Sequence, residues 1–125
     1  MDKEFEMLYA RAKKHIKRTV LNKYITYGGV ACALLTEKGK IYTGIYVDAK
    51  CNIGFCAEHA AIGEMIKNGE TRILKIVSAK EGQIYAPCGR CRELIRMINP
   101  ENMKTKVLLE GGKVVTIEEL LPYPW

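Results

Sequence analysis

Residues 85–94 read YAPCGRCREL and set Cys88 and Cys91 three positions apart behind Pro87. A Cys-x-x-Cys pair serves a redox couple, a structural metal or a catalytic metal, and the pair alone does not choose among them. A second stretch, FCAEH at 55–59, brings a third thiol, Cys56, and an acid, Glu58, two residues later. Three thiolates on a tetrahedral zinc leave one position for water, which is what separates catalytic from structural zinc sites. Zinc brings the pKa of such a water down to about 7, and a carboxylate beside it can carry its protons. Glu58 stands close enough in sequence to Cys56 for that task. Metal binds thiolates rather than thiols, and a helix N-terminus stabilises the anion. Cys56 and Cys88 both stand where a helix is expected to begin. Zinc with three thiolates carries a formal charge of about −1. Arg90, inside the Cys88–Cys91 turn, and His59, next to Glu58, are the groups that could donate hydrogen bonds to sulfur.

Each feature has an ordinary explanation when taken singly. Cys56 would be a small buried apolar residue, and Glu58 a first-turn glutamate favoured by the helix dipole. Arg90 would be solvated, and His59 a surface or core histidine. Together they select a metal-activated water. Cys32, inside the apolar run GGVACALLT, reads as strand core, and Cys51 as a loop thiol.

The elements that must position these groups follow from the hydrophobic pattern. The 125 residues fit one domain, 1–125, with a core large enough to need no staple. No stretch approaches the roughly 20 apolar residues of a membrane span. The beginning, MDKEFEMLYARAKKH, is too charged for a signal peptide. A cytoplasmic protein is expected, in which an odd set of five cysteines stays reduced and disulfides give way to metal use. The net charge of +6 admits an anionic partner, but the basic residues are scattered, and the densest run, RAKKHIKR, makes a solvated helix face. Phe5, Leu8, Tyr9, Ala12, Ile16 and Val20 recur at helical spacing and predict a helix from about Lys3 to Val20. GGVACALLT and KIYTGIYVD, joined by EKG, predict an antiparallel hairpin. AEHAAIGEMIK predicts a helix stopped at Asn68-Gly69, ILKIVSA a strand, and CGRCRELIRMI a helix ended before Pro100. KVLLE and KVVT are β-like around a Gly-Gly turn, and IEELL closes as a helical turn. The order α-β-β-α-β-α-β implies a three-layer α/β/α sandwich around a mixed five-stranded sheet, with parallel neighbours after the hairpin.

At Cys-Ala-Glu and Pro-Cys-Gly-Arg-Cys the chain resembles the zinc-dependent cytidine deaminase family, whose pattern is Cys₃ or His/Cys/Cys ligands, a non-ligand Glu and P-C-x-x-C. The order of elements, the LLTEKGKIYTG hairpin and the ELLPYPW stretch fit the same family. A Cys where polynucleotide editors have His points to the small homotetrameric enzymes, which act on free nucleosides and share active sites between subunits. The resemblance implies zinc on Cys56, Cys88 and Cys91, and Glu58 as the proton shuttle between water, ring N3 and the departing ammonia. It implies that the Ala57 N–H holds the pyrimidine O2. On the sugar side the chain departs from the pattern. Tyr46 and Asp48 stand where the ordinary enzymes carry Asn and Glu, and Gly28 where they carry Phe. These departures, PCGRC and the Tyr-x-Trp ending bring the chain nearest the blasticidin-S deaminase branch, which acts on a cytosine nucleoside with a modified sugar. His59 replaces an Arg that faces the zinc thiolates in ordinary tetrameric enzymes, so Arg90 is expected to take that task over. Tyr123 and Trp125 are expected to close an active site, that of a neighbouring subunit.

Two other readings compete. A polynucleotide deaminase is supported only by the positive charge, and a non-catalytic zinc module leaves Glu58 without a purpose.

Overall fold

A computed structural model describes all 125 residues. Helix α1 spans Lys3–Lys13, with Asp2 as its N-cap and Glu4 and Glu6 in its first turn; Phe5, Leu8 and Ala12 form its buried stripe. The Asp2 carboxylate accepts from the Phe5 N–H at 2.8 Å and, through its other oxygen, from the Lys75 ammonium at 2.9 Å. The helix is shorter than the periodicity suggested, stopping at Lys13 rather than Val20. The reason lies in the next strand. The Lys17 N–H donates to the Gly28 carbonyl at 2.8 Å, and Thr19–Val20 forms strand β1, antiparallel to Tyr27 and Thr26. A backbone hydrogen bond and a strand pairing thus outcompete the helical phase of Ile16 and Val20. Gly28 has φ +82°, and a Cβ there would strike the Lys17 carbonyl, so the approach requires glycine.

The remaining elements are β2 (Ile25–Thr36), β3 (Ile41–Ala49), α2 (Ala57–Lys67), β4 (Ile73–Lys80), β5 (Gln83–Tyr85), α3 (Gly89–Ile98), β6 (Lys106–Leu108), β7 (Val114–Thr116) and α4 (Ile117–Leu120). They form one sheet of seven strands, not five. The two extra strands are short: β1 follows β4 along the same side of β2, and β5 follows β6 along the same side of β4. The sheet is mixed but largely antiparallel. Only β4 and β6 run parallel. The pairing of β2 with β4 is antiparallel, against the expectation of parallel neighbours. The connection β3–α2–β4 steps over β2, so β4 lies parallel to β3 and opposed to the strand it touches.

Alternation along β2 buries both faces, as a central strand requires. Ala31, Ala33 and Leu35 pack with Val77 and Ala79 beneath Phe5, Leu8 and Ala12 of α1. Cys32, Leu34 and Ile76 face the opposite side with Ala61, Ile62 and Met65 of α2 and Ile95 of α3. The result is a three-layer α/β/α sandwich. Gly44 of β3 brings the sheet against α2: a Cβ there would overlap the Ala57 carbonyl oxygen and come 2.5 Å from the Ala61 nitrogen. The first turn of α2 therefore rests directly on β3.

Candidate zinc site and adjoining cleft

After β3 the chain makes a tight turn through Cys51 and Asn52, both at positive φ, and folds back so that Val47 and Phe55 exchange two backbone hydrogen bonds of 3.0 Å. This bridge delivers Cys56 to the start of α2. Cys56 is the N-cap of α2, and Cys88 the N-cap of α3. Both have extended backbones, and neither sulfur makes a capping hydrogen bond, so both are free for another partner. Cys91 lies one turn into α3 and is buried.

The three sulfurs converge. Cys56 Sγ lies 3.7 Å from Cys88 Sγ, Cys88 Sγ lies 3.3 Å from Cys91 Sγ, and all three fall within 4.8 Å of one another. Zn–S bonds of about 2.3 Å at a tetrahedral angle place sulfurs about 3.8 Å apart, so the spacing suits zinc. The electrostatics agree. Burial pushes the Cys91 thiol far up, and burial with the neighbouring thiol also raises Cys56. Cys88 alone is held below the ordinary thiol range, because hydrogen bonding to Cys91 and Cys56 outweighs its desolvation. Three thiols this close cannot all ionise without a cation among them.

Cys56 and Cys88 border a cavity of about 270 Å³, which Tyr46, Ala57, Glu58 and Ser78 also line. Glu58 is buried, and burial raises its carboxyl above the usual carboxylate range. The Ser78 hydroxyl is buried there without a hydrogen-bond partner. A second cavity of about 140 Å³ shares Tyr46 and Cys56 with the first and is lined further by Asp48, Asn52 and Arg90. The His59 imidazole Nδ1 sits 3.3 Å from Cys91 Sγ. Burial and the Arg90 charge hold the pKa of His59 below its ordinary value.

The structure thus brings Cys56, Cys88, Cys91, Ala57, Glu58 and Tyr46 around one cleft. Asp48 and Arg90 fall in the adjoining cavity. It is His59, not Arg90, that touches a ligand sulfur. Tyr123 and Trp125 stay apart: they are 92% and 89% exposed, and the Trp125 N–H donates to the Glu93 carboxylate at 3.2 Å. Ser78 escaped the sequence reading. Its one signal was a hydroxyl beside the apolar residues Ile76 and Val77, paired in register with Cys32 and so on the same face of the sheet.

The cytidine and deoxycytidylate deaminase zinc-binding region matches residues 3–107 of the chain. A blasticidin-S deaminase from Bacillus cereus is 35% identical over an alignment covering 74% of each protein. A cytidine deaminase from Halalkalibacterium halodurans is 29% identical over 79% of this chain and 80% of that one. The crystal structure of cytidine deaminase from Mycobacterium leprae superposes with a TM-score of 0.80 at 24% identity, covering 98% of this chain and 100% of that one. The same fold, with a Cys₃ cluster at two helix starts, is therefore that of a zinc-dependent hydrolytic deaminase, and the chain belongs to the cytidine and deoxycytidylate deaminase family.

Proposed function

We propose that the chain deaminates a free cytosine nucleoside, cytidine or deoxycytidine, consuming water and releasing the uracil nucleoside and ammonia. The observation that carries this reading is the burial of Glu58 in the cavity that Cys56 and Cys88 border. Cys56, Cys88 and Cys91 would hold the zinc, which when bound supplies an acidified water at neutral pH. Glu58 would take a proton from the attacking water and give it to ring N3 of the cytosine. Its raised pKa suits a group that must both accept and release a proton near neutrality. The water oxygen would bond to C4 as N3 is protonated, and Glu58 would then carry the remaining hydroxyl proton to the departing amino group, so the C4–N bond breaks as C4=O forms. Ala57 opens α2, where N–H groups lack intrahelical acceptors, and its amide holds the pyrimidine O2. Apolar walls from Val30 and Ala86 keep bulk water from the ring.

Tyr46 and Asp48 favour a second reading, in which the natural substrate is a modified cytosine nucleoside such as blasticidin S. Tyr46 lines both cavities, and Asp48 lies beside it. A phenol cannot reproduce the paired hydrogen bonds of an amide to ribose hydroxyls. The relative from Bacillus cereus supports the same reading. The five unpaired thiols suit a reducing cytoplasm, and the exposure of Tyr123 and Trp125 suits a homotetramer in which each tail serves a neighbour.

The test is a panel of cytidine, deoxycytidine, blasticidin S, cytidylate and single-stranded RNA, assayed for ammonia release with zinc-loaded protein. Turnover of a free nucleoside supports the reading. Release from RNA alone, or from nothing in the panel, overturns it.

A further inference from the structure

Arg92 lies one residue past Cys91, on α3, and its guanidinium is held between two backbone carbonyls. Nε donates to Pro87 O at 2.7 Å, and Nη1 donates to Leu120 O at 3.0 Å. No ion pair engages it. Pro87 O belongs to the peptide that leads into Cys88. That peptide is planar, so fixing its oxygen fixes the direction in which the Cys88 backbone, and with it the sulfur, leaves the loop. The backbone N–H of Arg92 also donates to Cys88 O at 3.0 Å, so one residue grips both peptides flanking the ligand. Leu120 is the last residue of α4, from which the segment carrying Tyr123 and Trp125 departs. The next residue on α3, Glu93, accepts the Trp125 N–H. Two neighbouring side chains on the helix bearing Cys91 thus fasten the C-terminal segment.

We infer that Arg92 is a positioning residue which sets the Cys88 sulfur and, through the same guanidinium, couples the C-terminal segment to the zinc site. Only a rigid fork can do both. Lysine keeps the charge but offers one compact ammonium, which cannot hold two carbonyls at fixed directions. The inference depends on the metal site and not on which nucleoside is the substrate.

The experiment compares the parent with Arg92→Lys and Arg92→Gln, with Glu101→Ala as a surface control. Expected for Arg92→Lys are about tenfold faster zinc release to a chromogenic chelator and a changed thiolate-to-metal absorption band in the cobalt-loaded protein. The C-terminal segment should become protease-sensitive, and KM should rise more than kcat falls. A release rate and cobalt spectrum equal to the parent's would overturn the inference even if activity were lost, since activity also depends on the substrate reading. A further measurement needs only the parent. In ¹⁵N-labelled, zinc-loaded protein the Arg92 Nε–H should exchange slowly with solvent. Exchange at the rate of a free arginine would likewise overturn it.

Discussion

The His59 imidazole nitrogen lies 3.3 Å from the Cys91 sulfur, whereas Arg90, inside the Cys88–Cys91 turn, makes no hydrogen bond and faces a cavity with Asp48. A hydrogen bond to a coordinated thiolate withdraws charge and orients the sulfur. His59→Ala should therefore weaken zinc retention about tenfold or more, the usual scale for a group supporting a ligand, and Arg90→Ala should do less. Competition with a zinc chelator measures both. Equal losses, or a larger loss from Arg90→Ala, would return to Arg90 the role that sequence reasoning gave it.

Glu58→Gln keeps the volume of the side chain and removes its ability to carry a proton. Zinc content should stay at the parent level, while kcat falls by about 10² to 10⁴, the contribution of a positioned acid–base group. Metal analysis beside steady-state kinetics decides the matter. Activity within a few-fold of the parent would show that another group moves the proton.

Gly44 lies against the first turn of α2, and its Cβ would overlap the Ala57 carbonyl. Overpacking of this kind costs about 1–3 kcal/mol. Gly44→Ala should therefore lower the denaturant midpoint and, because Ala57 follows Cys56, also weaken zinc binding. An unchanged midpoint would mean that β3 gives way at no cost.

Deleting Tyr123 to Trp125 should raise KM about tenfold while zinc is retained, the loss expected when an aromatic ring no longer stacks on a base or its sugar. Both rings are exposed within one chain, so on the proposed reading that each tail serves a neighbouring subunit, mixing truncated with inactive full-length subunits should restore binding. Unchanged kinetics in the truncated enzyme would reject the lid.

Asp2 caps α1 and pairs with Lys75. Asp2→Ala should cost about 1 kcal/mol, as for other capping residues. The capping bond from Phe5 and the pairing with Lys75 hold the Asp2 carboxyl below its ordinary value. Its contribution is therefore complete above pH 3.8, the ordinary value, and is lost as pH falls through the lower folded value. The stability difference between parent and variant should accordingly shrink in strong acid. A gap that stays constant down to the lowest pH at which both fold would assign the effect to something other than the charge.

Much of this arrangement was legible in the sequence because its signals are local. The Cys₃ ligand set, Glu58 and the helix starts at Cys56 and Cys88 lie in two short windows, and the burial of each element follows from its periodicity. What the sequence hid depends on distant pairing. Val20 fits a helical stripe, but β2 recruits it as a strand through Tyr27 and Thr26. β4 opposes β2 because α2 carries the chain over an intervening strand, and no residue in β4 announces that. Arg90 was expected to face the thiolates because it lies between Cys88 and Cys91 in sequence. Only the packing of the folded chain brings the His59 imidazole, rather than the Arg90 guanidinium, to sulfur. The tail's aromatic rings could be named, but nothing in their spacing says where they stand relative to the cleft.

The crossover of α2 over β2 also sets an order of events during assembly. Cys88 and Cys91 are one helical turn apart and can meet a metal in any partly folded chain, but Cys56 reaches them only once β4 has docked beside β2 and α3 has formed behind it. A nascent chain exposes Cys56 well before α3 exists, so premature metal capture would use the Cys88–Cys91 pair alone and hold it weakly. Full affinity appears only with the finished sheet. Zinc then binds the native chain in preference to the unfolded one and draws the folding equilibrium toward it by mass action. On this topology zinc would stabilise the finished fold and would not seed it.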